Sequence, residues 1–527
     1  MTMKVQREKI KIIYFIFYFV LLTGLQACTT PEMRREPFDP YKGQIVLFFS
    51  MHNKASSDVA FELLAVNIIS KDGTVREILD TPVSISSVTA AGRQILLGER
   101  SLPEGKYEKL QIIVKEASIR RDDRIARLAL PADATEIAIE VSVKAGQSAS
   151  LFLDWNADAS IVDGYLFNPV FTVKGQVPEL GTLLVYVTNE NSNNVSVINR
   201  QTGEVVATVM VGSMPKGIAA GKRREHLKVY VANSGTDSIS VIDPTINKVE
   251  NEIPIRFGSQ PEGIAVARIS PDKELIFVTN YQTNSVSVVD GTTYQELEKI
   301  DVGNGPVAVA LDPPVEGLIG AKFLSIEDAN ILRNYRESFF NVYIANMNSN
   351  SISVIRFNTL KNRSEEVVNI AVEWRPEALA VDYQRGRVYV ANYGSDKLSV
   401  VNIMQIIKGN SAGAVSDITD AGAYITDVIA DPTLDRIYLL KERPGEITII
   451  RPSVEGARAF KSAITPILGT IAVGISPRSF ILDPEGRKFY VVNRGSDNVT
   501  VIDKTTRREE RIIPVGKSPY GITMFLN

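Results

Sequence analysis

The sequence predicts an all-β chain in two parts, an N-terminal β-sandwich followed by a ring of seven repeats closed by the C-terminal strand. Three observations carry this. From Gly43 onward almost no segment sustains a helical period, and short apolar runs alternate with turn residues to the end. One four-residue element returns seven times in the second half, its copies 44, 47, 66, 46, 49 and 52 residues apart. A proline-headed element also recurs seven times, and its last copy stands at the C-terminus with no repeat after it.

Composition narrows the function classes. The 527 residues carry 58 Lys+Arg and 61 Asp+Glu, a net charge of −3, with 44% hydrophobic and 23% charged residues. That is globular composition, and its balance lacks the basic excess of a dedicated nucleic-acid binder. One cysteine, Cys28, rules out a disulfide framework and a multi-cysteine zinc site. Two histidines, His52 and His226, leave no three-histidine metal centre and little imidazole acid–base chemistry. Both read as solvated loop residues. No cofactor and no metal are expected.

Residues 1–27 read as a targeting segment. Lys4, Arg7, Lys9 and Lys11 form a basic start, and Ile12–Leu22 is an unbroken apolar run. As helix that run spans about 16 Å, too short for a bilayer core of about 30 Å. It leads to Leu25-Gln26-Ala27-Cys28, which resembles the lipobox of bacterial lipoproteins, where the cysteine is lipidated and becomes the first mature residue. Gln26 departs from the small residue usual there, and an ordinary secretory signal is the alternative. Removing residues 1–27 takes away those four cations and Glu8, so the net charge moves from −3 to −6. A lipidated Cys28 would thus be the membrane attachment, on the outer membrane given Thr29 after it, with residues 28–41 a proline-containing tether.

Residues 42–177 read as a sandwich. Strand-like stretches run over Gln44–Phe49, Ala60–Ile69, Leu110–Val114, Glu136–Val143, Leu151–Trp155 and Leu166–Val173. Ile137, Ile139, Val141 and Val143 alternate with smaller or polar residues, the mark of a half-buried strand. Lys71-Asp72-Gly73 and Pro103-Glu104-Gly105 mark turns. The stretches Leu102–Tyr107, Lys144–Gln147 and Gly164–Pro169 resemble an uncharacterised sandwich domain of bacterial surface lipoproteins, a likeness that implies no activity.

Residues 181–527 hold the repeats. The first element reads Tyr186-Val187-Thr188-Asn189 and recurs from Tyr230, Phe277, Tyr343, Tyr389, a degenerate Tyr438 (Tyr-Leu-Leu-Lys) and Tyr490. Each copy precedes a second apolar strand, from Val195–Ile198 to Val499–Ile502. The proline-headed element begins at Pro215, Pro261, Pro306, Pro376, Ile425, Pro477 and Pro519. Repeats of this length with several strands are propeller blades, and seven of each element make seven. The orphan at Pro519 predicts that Tyr520–Leu526 is the innermost strand of the first blade, pairing with Thr182–Thr188. These motifs resemble the YVTN family of bacterial and archaeal β-propellers, a likeness specific for fold and not for activity. The long period reflects an insertion at 313–341, in which Ile326–Leu332 is expected to form a surface helix, tolerated or functional.

Chemistry is sparse. There is no Gly-x-Ser-x-Gly elbow, no phosphate-binding glycine loop and no calcium loop. The glycines of Val211–Gly217 and Val302–Pro306 read as turn residues with positive φ, and the repeated asparagines as parts of blade construction. One set of positions varies on the fixed frame. The residues after the proline position include Lys216, Glu262, Glu377, Arg478 and Tyr520, and those after the YVTN-type element include Glu190, Tyr281, Tyr393 and Arg494. Both loops should open on one face, which makes these nine the candidate binding residues. The expected role is non-enzymatic binding or scaffolding by a monomeric, lipid-anchored envelope protein, its partner an envelope protein or polysaccharide. A lactonase-type hydrolase is the alternative. Convergence of Tyr281, Tyr393 and Tyr520 would favour a polysaccharide.

Overall fold

The computed structural model describes residues 38–525 except 54, 122–123, 132–133, 178, 224–225, 313–323, 383 and 453–466. Cys28, the targeting segment, most of the tether and the start of the insertion lie outside the described residues.

The seven repeats form seven four-stranded antiparallel sheets. Blades 2 to 7 are continuous in sequence: Pro215–Pro254, Pro261–Asp301, Pro306–Ala371, Pro376–Ile418, Ile425–Ala472 and Pro477–Pro514. In each, the proline-headed strand is innermost and the YVTN-type strand is second. Blade 1 takes its outer three strands from Leu184–Met210 and its innermost from Pro519–Met524. That strand pairs Met524 with Val185 and Ile522 with Val187, so the ends of the repeat region share one sheet as the orphan motif predicts.

Neighbouring blades cover the second and third strands on both faces, which is why these strands lack polar alternation. Leu184–Asn189 and Asn194–Asn199 are buried at every position. Their polar ends are tied inward. Asn233 donates 3.2 and 2.8 Å hydrogen bonds to Ser238 and Ser240, and Asn280 and Asn346 repeat the geometry with their own serine pairs. Asn189, Asn392 and Asn493 make the same hairpin bridge with slightly different acceptors. The glycine preceding each of several inner strands leaves room for this node. A Cβ on Gly258 would lie 2.2 Å from the Asn280 side chain. Gly212 and Gly303 are likewise required for close approach and do not adopt positive φ, contrary to the turn reading. The left-handed residue is the one before the proline position, in all seven blades: Met214, Gln260, Gly305, Arg375, Tyr424, Ser476 and Ser518.

At the axis the inner strands nearly touch. A Cβ on Gly217 would sit 2.1 Å from the Glu262 carbonyl of the next blade. The motif threonine knits these strands together: Thr188 Oγ1 donates to the Lys216 carbonyl (2.7 Å) and accepts from the Gly521 amide (2.8 Å).

The N-terminal part is a sandwich of two sheets. The front sheet orders Val170–Gly175, Ser148–Asn156, Lys42–Ser50 and Gln94–Pro103. The back sheet is built on Asp58–Ser70 and Gly105–Arg121, flanked by four shorter strands. Phe49, Phe61, Trp155 and Phe167 fill the space between, with Phe61 edge-on to Trp155 at 4.8 Å. Lys42–Ser50 is buried on both sides. Its Ile45, Leu47 and Phe49 belong to the sandwich core, whereas Val46 and Phe48 join a cluster with Val185, Val205, Val501 and Ile513 of blades 1 and 7.

Ile326–Arg336 is the expected surface helix, longer than predicted. Ser325 caps it, and Glu327 and Asp328 begin it while Arg333 and Arg336 end it, in accord with the helix dipole. Two shorter helices, Ser87–Ala90 in the sandwich and Ile403–Ile407 in blade 5, have no counterpart in the sequence reading.

Candidate functional site

The two sets of variable loops do share a face, and the backbone shows it. The amide of the residue after the YVTN-type element donates to the carbonyl of the left-handed residue before the proline position. These bonds are Glu190 to Ser518, Ser234 to Met214, Tyr281 to Gln260, Met347 to Gly305, Tyr393 to Arg375, Glu442 to Tyr424 and Arg494 to Ser476, all 2.8–3.1 Å. Main-chain atoms carry this bridge, so side chains are free to differ from blade to blade.

Toward the axis, the residues after the proline position close the channel mouth among themselves. Lys216 meets Glu262 at 2.5 Å and lies over the Tyr520 ring. Arg478 reaches past blade 6 to pair with Glu377, donates to the Tyr520 hydroxyl at 2.8 Å and covers its ring at 4.7 Å. The five side chains form one neutral chain, Glu262–Lys216–Tyr520–Arg478–Glu377, with both carboxylates buried. Burial works against the charges on Lys216 and Arg478, and their acidic partners and Tyr520 more than offset it, holding both pKa values above the ordinary range. Burial raises the Tyr520 phenol.

Below the mouth, Asp427 occupies the position where the other six inner strands place Gly217, Gly263, Ala308, Ala378, Ser479 and Gly521. Its Oδ2 accepts from Ser479 Oγ (2.8 Å) and the Phe480 amide (3.1 Å) of blade 7. Crowding by the channel wall, opposed by these bonds, pushes its carboxyl up to about 6.

The rim is different. Glu190 is buried and paired with Arg494 at 2.7 Å, whose side chain is 44% exposed. Tyr281 accepts from Asn348 at the junction of blades 3 and 4. Tyr393 donates to Glu442 at 2.5 Å, and burial together with that carboxylate raises the phenol to about 12. Around Tyr393 a ladder has assembled from residues the sequence reading passed over. Arg375 stacks on Tyr393 at 4.8 Å, Tyr393 meets Tyr424 edge-on at 5.5 Å, and Arg443 stacks on Tyr424 at 5.3 Å. Beside them Trp374 is 68% exposed. The Tyr424 amide donates to the Tyr393 carbonyl, which joins blades 5 and 6 along this arc. The residue before each proline position varies as much as the one after it, a signal that could have found Arg375 and Tyr424.

Tyr281, Tyr393 and Tyr520 therefore do not converge: one lies at each of two rim sectors and one in the channel. His226 is exposed, as read. His52 is not merely solvated, since it bridges Asp154 of the sandwich (2.8 Å) and Glu204 of blade 1 (3.2 Å). Among the described residues no cluster of three His, Cys, Asp or Glu could hold a metal ion.

Residues 45–169 match a family described as a domain of unknown function, DUF4382. The repeats are similar to the seven-bladed beta-propeller protein Rv1057 of Mycobacterium tuberculosis, 26% identical over 327 residues, 59% of this chain and 77% of that one. The chain carries a seven-bladed β-propeller. Similar solved structures include the hydrazine synthase of Kuenenia stuttgartiensis (16% identity, 62% of this chain and 93% of that one, TM-score 0.48). Another is a Bacteroides fragilis protein provisionally described as a 6-phosphogluconolactonase (14% identity, 66% and 100%, TM-score 0.47).

Proposed function

We propose that this is a lipid-anchored protein of the bacterial cell envelope, facing the periplasm or surface at the outer membrane, whose YVTN-like propeller binds a partner without turning it over. The carrying observation is the contrast on one face between a channel mouth closed by mutual ion pairs and an open rim arc of Trp374, Arg375, Tyr393, Tyr424 and Arg443. Aromatic and arginine side chains held on a rigid frame lose little entropy on binding and suit a recognition surface. Glu442 and the Glu377 shared with Arg375 (3.5 Å) keep the arc of mixed charge, which suits a polar envelope protein or polysaccharide over a polyanion. The lipobox-like Leu25–Cys28 supports the anchor.

The test of the site is capture of partners from solubilised envelope and from purified cell-wall polysaccharide. Trp374→Ala with Tyr424→Ala should lower capture about tenfold or more with little change in melting temperature. Lys248→Ala with Arg508→Ala, at the opposite ends of the blades, should leave it intact. Loss of capture in the second variant alone, or hydrolysis of a lactone panel at enzyme-like rates, would overturn the reading. For the anchor, Cys28→Ser should release the protein from the membrane fraction and block processing, and normal attachment of that variant would refute lipidation.

A further inference from the structure

The outermost strands of blades are exposed edges, and in this molecule they are treated unequally. Lys248–Pro254, Glu296–Asp301, Arg363–Ala371, Ile467–Ala472 and Arg508–Pro514 are mostly open or half-open. Glu204–Met210, the outer strand of blade 1, is buried at five of its seven positions. The sandwich covers it. Gln94 donates to the Val205 carbonyl (3.0 Å) and accepts from the Val205 amide (2.8 Å), as another strand would. Ser150 Oγ accepts from the Thr208 amide at 2.8 Å.

The same domain grips the inner side of the closure. Glu99 accepts from Ser192 Oγ (2.9 Å) and Asn194 (3.0 Å) in the hairpin between Leu184–Asn189 and Asn194–Asn199 of blade 1. Ser192 Oγ in turn accepts the Lys517 amide (2.7 Å), and Asp80 pairs with the Lys517 ammonium (2.9 Å) in the loop that leads into the C-terminal strand. Val46 and Phe48 fill the outer seam between blades 7 and 1.

We infer that the N-terminal sandwich, a domain with no assigned role, is a clasp that holds the propeller's closing blade shut. Blade 1 is the one blade made from distant parts of the chain, so the ring opens by losing Pro519–Met524, and every contact above lies in blade 1, in the loop that leads into its borrowed strand, or at its seam with blade 7. The clasp works by satisfying the edge amides of Val205 and Thr208 and by pinning Lys517, so that the C-terminal strand cannot leave without breaking sandwich contacts. This inference is independent of the binding arc, which lies on blades 5 and 6.

Native-state amide hydrogen exchange on the full chain tests it. Gln94→Ala with Ser150→Ala should speed exchange about tenfold in Pro519–Met524 and Leu184–Asn189 and leave Pro306–Leu311 of blade 4 unchanged. Lys517→Ala removes only an exposed ion pair and should give a smaller acceleration in the same two strands, which keeps the test decisive should the double variant fail to fold. Unchanged exchange at the joint in the variants that fold, or equal acceleration in blade 4, would overturn the inference.

Discussion

Blades 1 and 6 both break the repeat, in opposite ways. Blade 1 keeps the motif chemistry, with Asn189, Thr188, Pro519 and Gly516 in place, and interrupts only the chain. Blade 6 is continuous and has lost the chemistry: Ile425 replaces the proline, Asp427 the small residue and Lys441 the asparagine. In blade 6 the buried Lys441 meets Glu446 at 3.7 Å, and Glu446 accepts from Thr448 at 2.9 Å, so an ion pair stands where the asparagine node would be. Burial lowers the Lys441 pKa against the pull of Glu446. Connectivity can thus be broken where side chains are kept, and side chains changed where polar groups still find partners. The open arc borders the chemically divergent blade.

Four measurements would break or sharpen this contrast. The largest effect should come from removing the last strand. Deleting residues 519–527 takes away the buried Ile522, Met524 and Phe525 at about 1.5–3 kcal/mol each, so the protein should melt far lower or aggregate. An unaltered calorimetric melt would show that blade 1 does not need its borrowed strand. Next, Asn189→Ala should cost about 2–3 kcal/mol in urea unfolding, since it strips partners from buried Asn194 and Ser196.

A third effect, of similar size, is pH-dependent. Asp427 is ordinary in the unfolded chain, near 3.8, and about 6 when folded, so the folded protein holds its proton more tightly between these values. The stability this confers is complete below pH 3.8 and lost as pH rises through 6. The wild type should therefore lose about 3 kcal/mol as pH rises through that window relative to Asp427→Asn, whose curve lacks this component. Parallel curves for the two proteins would mean the carboxyl is not perturbed. Smallest of all, Lys441→Asn with Glu446→Ser, restoring the regular node, should shift stability by less than about 1 kcal/mol, and a loss of several would show blade 6 has repacked around its ion pair.

Much of the fold was legible because a repeat states its own rules seven times. The YVTN-type and proline-headed elements marked two strands per blade, and the orphan Pro519 marked the closure. What stayed hidden lies in relations between distant residues. Arg223 is buried against Glu274 (3.1 Å) and Arg336 against Asp312 (3.7 Å), pairs 51 and 24 positions apart. A charged side chain has no local mark that says whether it will be enclosed. Gly305 does adopt the positive φ expected of it, but Gly212 and Gly303 were misread, because close approach and positive φ leave the same letter in the sequence. That the two loops share a face was legible, and which of their side chains stay open was not, since Lys216, Arg478 and Tyr520 look as available in sequence as Trp374 and Arg443. The double burial of Lys42–Ser50 was legible in principle, since Ile45–Phe49 is apolar throughout.

Because main-chain atoms tie the two loops of each blade together, the side chains flanking each tie are released from structural duty. Selection can then act on one sector of the rim without consulting the other six. A lineage carrying this scaffold can exchange Trp374 or Tyr424 for other residues and acquire a new preference in single steps, with the ring as a constant background. Divergence among relatives should therefore concentrate in these paired positions while the asparagine nodes and axial glycines stay still.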